Sequence, residues 1–193
     1  MIKNKLLIVV DMQNDFLFDA LKNKEGAALI PQMQNKIREY MEDGYEVVFT
    51  RDTHADNYME TEEGKNLPVP HCIKGTHGWE IADCLKEFVT EDTKVFDKVT
   101  FGSDGLYTYL ETYGHKFDEI ELIGVCTDIC VISNAVLAKT ACPNTHIVVD
   151  ASMCAGVTPE THETALKAME SLQIELTHKG EEPWKHIDLT AIQ

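Results

Sequence analysis

Short apolar runs alternate with longer amphipathic ones along this chain. "LLIVVD" (6–11) is almost continuously apolar, the pattern of a strand buried on both faces. In residues 30–44, Ile30, Met33, Ile37, Tyr40 and Met41 recur at helical spacing, with Gly44 as the stop. "EVVFTRD" (46–52) predicts the next strand. Residues 53–78 are polar, rich in turn formers and without strong periodicity, and connections of that length are usually functional. Beyond them the pattern predicts a helix over 78–88, a strand over 93–98, a helix over 104–114 and a strand over 119–125. A helix over 128–140, a strand over 145–150, a helix over 159–172 and a last strand over 174–178 follow.

Strands alternating with helices imply a three-layer α/β/α fold around a six-stranded, mainly parallel sheet. No repeat, linker or low-complexity block interrupts the pattern, so residues 1–193 read as a single domain. Ligands of such sheets sit beyond the carboxyl ends of the strands. The polar residues there are Asp11, Asp52 with His54, Lys98, and the segment 126–130.

Composition narrows the partners. A formal net charge of −16 argues against nucleic acid and against anionic membrane surfaces. No run approaches the ~20 apolar residues that span a bilayer. The start "MIKNKLLIVVDMQNDF" reads as a buried first strand rather than a signal peptide, because Asp11 closes the apolar run and no cleavage site follows. Six cysteines in a chain with no export signal read as reduced thiols in the cytoplasm.

Chemistry concentrates at the strand ends. Cys130 lies in the first turn of a predicted helix, where unpaired N–H groups and the helix dipole favour a thiolate. Its plainer reading is a buried structural cysteine. Lys98 would stabilise the thiolate and hold Asp11 ionised. Asp11 would take the thiol proton and return it to a leaving group. Asp52, His54 and His71 form an Asp-x-His…His set suited to Zn, Fe or Mn, with Asp56, Glu60, Glu62 and Glu63 nearby as further ligands. The alternative is a solvated acidic loop with unrelated histidines. Cys126 and Cys130 have three residues between them, one more than the usual redox pair.

"VVDMQNDF", "RDTH", "PHCIKGTHGWE", "DKVTFGS" and "GVCTDICV" occur in this order between residues 9 and 131. Together they resemble the isochorismatase-like cysteine hydrolases, and within them the nicotinamidases, also called pyrazinamidases. The resemblance implies a catalytic triad of Asp11, Lys98 and Cys130. It implies a cis peptide bond before Cys126, and an oxyanion hole from the N–H groups of Cys126 and Cys130. It also implies a divalent metal, zinc foremost with iron or manganese as alternatives, on Asp52, His54 and His71. Glu63, with Glu62 behind it, is the candidate fourth ligand. Phe16 would pack on a substrate ring, with Leu67, Val125 and Ile129 as further substrate contacts. A small-molecule amide substrate and a homo-oligomer are implied as well. The chain departs from the family pattern at "LPVPHC", where Leu67 stands in place of a tryptophan and one residue is added before His71, and at Asp104-Gly105 after "FGS".

Three functions stay in view. The first is hydrolysis of nicotinamide to nicotinate and ammonia. The second is hydrolysis of a ureido, carbamoyl or other small amide on the same scaffold. The third is a binding module without catalysis, since fold alone establishes no activity.

Overall fold

The computed structural model describes residues 4–192. Six strands form one sheet: β1 (Lys5–Val10), β2 (Glu46–Asp52), β3 (Lys94–Lys98), β4 (Glu119–Val125), β5 (His146–Ala155) and β6 (Glu175–Thr177). Every pairing is parallel and the order is β3-β2-β1-β4-β5-β6. The chain builds outward from β1 in one direction and from β4 in the other. The β1–β4 seam is therefore the switch point, where a crevice opens above the carboxyl ends.

Alternation along β1 sends Leu7 and Val9 to one core and Leu6, Ile8 and Val10 to the other, all fully buried. The first core is covered by three helices, α1 (Asn14–Leu17), α2 (Lys24–Ala28) and α3 (Ile30–Glu42), through Leu17, Ala28, Met33 and Ile37. After α4 (Glu62–Asn66), which belongs to the loop above the sheet, come α5 (Asp104–Tyr113), α6 (Ile132–Ala141) and α7 (Pro159–Ser171). These cover the second core with Leu106, Leu110, Ala135, Ala138, Leu166 and Met169. Among the described residues no helix is long and apolar enough to cross a membrane.

Several elements differ from the sequence pattern. The helix expected over 78–88 is a 3₁₀ segment, Asp83–Phe88. The expected helix's first part is a turn, in which the Glu80 N–H donates to the His77 carbonyl, pinned where Ile81 bridges Gln13 and the Glu80 carbonyl accepts the Asn14 N–H. Strand β5 runs past Asp150 to Ala155, because Lys36, Ser152 and His178 satisfy that buried carboxylate. The helix expected over 128–140 divides into a π-helical turn, Thr127–Val131, followed by α6. The tail folds back on its own chain: Trp184 is buried and its indole N–H donates to the Cys154 carbonyl at 3.1 Å.

Gly124 precedes the catalytic-looking turn at a register shift between β4 and β5. Its φ is +123°, and a Cβ there would lie 2.2 Å from the Val10 carbonyl oxygen. Gly124→Ala is expected to lose at least about 2 kcal/mol in urea denaturation, from backbone strain and overpacking together. An unchanged midpoint would refute the argument.

Candidate active site

Asp11 follows β1 with φ of 50°, a left-handed conformation that aspartate tolerates better than most residues. Thr50 on β2 fixes it: its hydroxyl donates to Oδ1 at 2.7 Å, and its carbonyl accepts the Asp11 N–H at 3.3 Å. Lys98 ends β3, in register with Asp52 at the end of β2. Its Nζ lies 2.7 Å from Asp11 Oδ2, 3.1 Å from Asp52 Oδ1 and 3.6 Å from Cys130 Sγ. Beyond this ion pair Oδ2 of Asp11 has no directed hydrogen bond, leaving a lone pair free. All of Asp11, Lys98 and Cys130 are buried.

The π-helical turn presents Cys130. The peptide bond Val125–Cys126 is cis, and the Cys126 carbonyl accepts N–H groups from both Ile129 and Val131, at 3.1 and 3.0 Å. Asn134 of α6 donates to the Cys130 carbonyl at 2.8 Å and accepts the Ser103 N–H, tying the turn to α5.

Electrostatics corrects one expectation. The helix start and Lys98 were expected to lower the Cys130 thiol pKa. Instead burial pushes it well up, Asp11 and Asp52 add to this, and Lys98 opposes it without prevailing. Burial likewise raises the Asp11 carboxyl against the pull of Lys98. Lys98 itself is raised: burial disfavours its charge, but Asp11, Cys130 and Asp52 outweigh that. Burial and the two facing carboxylates thus work against the thiolate that Lys98 favours.

A second cluster shares Asp52. One ligand atom each from Asp52, His54, Glu63 and His71 lie within 4.8 Å of one another. His54 Nε2 is 3.0 Å from Asp52 Oδ2 and 3.6 Å from Glu63 Oε1; His71 Nε2 is 3.5 Å and 3.6 Å from the same two oxygens. Tetrahedral zinc with ligands at ~2.1 Å sets neighbouring donors ~3.4 Å apart, so the set fits a divalent ion. The Nδ1–H of His71 donates to the Val69 carbonyl at 2.8 Å, which leaves Nε2 as the ligand nitrogen. Burial and the Asp52 charge raise the Glu63 carboxyl, a crowding of like charge that a cation would relieve. Glu62, the other candidate, is exposed and outside the cluster.

The loop expected to be irregular is built to hold these ligands. Thr61 caps α4 and so sets the phase that turns Glu63 inward. Tyr58 packs against both imidazoles, with ring centroids 4.7 Å and 5.0 Å away. The Gln13 amide accepts the Asp52 N–H and donates to the Asp52 and Trp79 carbonyls. Asp15 accepts the N–H of Cys72, next to His71, at 2.7 Å. Gln13, Asp15, Thr50 and Tyr58 escaped sequence reasoning. The available signal was the run of polar residues directly after a doubly buried strand.

Both clusters open on one cavity of about 400 Å³, lined among others by Phe16, Leu67, Cys126, Ile129 and Cys130. The Phe16 ring lies 5.6 Å from that of His71. Val125 does not line the cavity. Its side chain is fully buried in the first core and packs towards Gly26, because alternation along β4 turns it to the α2 side.

The family model described as the isochorismatase domain matches residues 5–180. The chain is 31% identical to the nicotinamidase/pyrazinamidase of Mycobacterium tuberculosis, over 89% of this chain and 97% of that one. It is 26% identical to the nicotinamidase of Saccharomyces cerevisiae, over 91% and 100%. Among solved structures, a pyrazinamidase of Pyrococcus horikoshii in complex with zinc superposes with a TM-score of 0.77. It is 30% identical, over 90% of this chain and 98% of that one.

Proposed function

The chain belongs to the isochorismatase family, and from that premise we propose that it is a nicotinamidase-like amidohydrolase. It would convert nicotinamide and water to nicotinate and ammonia through a thioester on Cys130. The observation that carries this reading is that Cys130, with the Lys98–Asp11 pair packed behind it, lines the same apolar cavity as Asp52, Glu63 and His71 of the metal-ligand set.

The carboxamide carbon sits at Cys130 Sγ, with the ring beside Phe16. Asp11 accepts the thiol proton as sulfur attacks, and Lys98 keeps the resulting charge from being isolated in a buried site. The N–H groups of Cys126 and Cys130 hold the oxyanion. Asp11 returns the proton to the departing ammonia, then draws a proton from the water that cleaves the thioester. A divalent ion on Asp52, His54, Glu63 and His71, with zinc favoured by two imidazoles and two carboxylates, would supply a Lewis-acid anchor for the ring nitrogen. The free state of the six cysteines supports a reducing, cytoplasmic setting.

An ammonia-release panel of nicotinamide, pyrazinamide and small ureido compounds, with and without chelator, tests the proposal. Both pyridine-type amides are expected to turn over. Metal removal is expected to cut the rate at least ~10-fold, and zinc to restore it. His71→Ala protein is expected to retain less metal on purification. Turnover confined to ureido compounds, in protein free of transition metal, would favour the second hydrolase reading.

A further inference from the structure

A second set of buried polar groups lies behind the catalytic turn. Thr127, the first residue of the π-helical turn, places its hydroxyl 2.7 Å from His162 Nδ1. His162 Nε2 lies 3.3 Å from Glu182 Oε1, and all three residues are fully buried. Thr127 and Glu182 lie on either side of His162 in sequence, on the turn after β4 and on the tail. Neither proximity follows from chain neighbourhood.

The chain of bonds has a direction. Glu182 as a carboxylate only accepts, so the His162 Nε2–H donates to it. Nδ1 is then left as an acceptor, and the Thr127 hydroxyl donates to it. Lys185 Nζ holds the other end, 2.8 Å from Glu182 Oε2 and 2.6 Å from Glu163 Oε1 on α7. Trp184 meets the imidazole edge-on with centroids 5.3 Å apart. His162, Glu163 and Glu182 have ligand atoms close enough for a metal, but the Lys185 ammonium already supplies the cation between the carboxylates.

Hydroxyl, imidazole and carboxylate stand here in the order found in acyl-transfer triads. None of them lines the cavity, so no substrate reaches the hydroxyl. The role left to them is mechanical. The turn carries the N–H groups of Cys126 and Cys130, and the sulfur of Cys130 must stay near Lys98 and Asp11. On the cavity side the turn is held by Asp128, which accepts the Val157 N–H at 3.0 Å. Asn23 donates to the Gly156 carbonyl at 2.8 Å. Behind the turn, Thr127–His162 is the tie.

We infer that Thr127, His162 and Glu182 are positioning residues: a buried relay through which the carboxy-terminal segment locks the nucleophile turn in its reactive geometry. The inference rests on the proposed amidase reading for its rate effects, and on geometry alone for its effect on Cys130.

The test compares Thr127→Val, which keeps shape but removes the hydroxyl, with Thr127→Ser, which keeps the hydroxyl. In metal-loaded enzyme Thr127→Val should lower kcat for nicotinamide roughly 10- to 100-fold with little change in KM. Thr127→Ser should recover most of kcat, and Glu182→Gln should fall between. In parallel, iodoacetamide labelling of Cys130 is followed by mass spectrometry. It should accelerate severalfold in Thr127→Val, because a released turn exposes the buried sulfur, and stay near the wild-type rate in Thr127→Ser. Equal behaviour of the Val and Ser variants in either readout, or a change in KM alone, would overturn the inference. If wild-type protein releases no ammonia, the amidase reading fails, and the labelling comparison still decides the relay.

Discussion

Cys130→Ala is expected to abolish ammonia release, a loss of more than about 10⁴-fold, while Cys126→Ala keeps most of the wild-type rate. The two thiols share one turn, but Cys130 is the one with Lys98 Nζ at 3.6 Å, and Asp11 Oδ2 lies 2.7 Å from that same ammonium. Burial raises both thiols, so the division of roles rests on these neighbours and not on the pKa shift. What Cys126 supplies in the proposed mechanism is its backbone N–H, which alanine retains. Steady-state ammonia assays on the two variants check this, with circular dichroism to verify folding. Equal losses would show that the roles are wrongly divided.

Lys98→Met is expected to be inactive and to lose about 3–5 kcal/mol of stability at neutral pH, the range for removing one partner of a buried ion pair. Lys98 is 1% exposed and lies within 3.1 Å of carboxylate oxygens of both Asp11 and Asp52. Methionine fills the space but leaves two buried anions facing each other. The pH dependence follows from linkage. The folded-state pKa of Lys98 is raised, so its stabilisation is complete below the ordinary lysine value and is lost only as pH rises through the higher folded value. In the variant, Asp11, already raised by burial, loses the ammonium that opposes this and binds a proton more readily in the folded state than in the unfolded one. Its deficit should therefore shrink as pH falls towards the carboxylate range. Urea titrations at pH 8 and pH 5 measure both effects, and a variant as stable as wild type at pH 8 would sink the argument.

Much of the architecture is legible in the sequence because five of the six strands are buried on both faces or end in conspicuous polar residues. The rule that ligands collect at carboxyl ends brought Asp11, Asp52, Lys98 and the 126–130 segment together. The short helices α1 and α2 span 4 and 5 residues and are too brief to show a period. The turn before Asp83 has a helical pattern because its pinning partners, Gln13 and Asn14, lie far away in sequence. Strand β5 appeared to stop at Asp150, since the lysine that makes a charge tolerable there comes from α3.

Composition and apolar periodicity determined the layer order, the parallel sheet and the edge on which the chemistry gathers, because burial on one or two faces leaves a regular mark along the chain. Tertiary structure alone decided that Val125 faces the core, and that a tail glutamate and a helix histidine meet behind the Thr127–Val131 turn. It also decided the sign of the Cys130 pKa shift. A helix start and a lysine are visible in sequence, but desolvation and two facing carboxylates are properties of the packed site, and there they outweigh the attraction of a single ammonium.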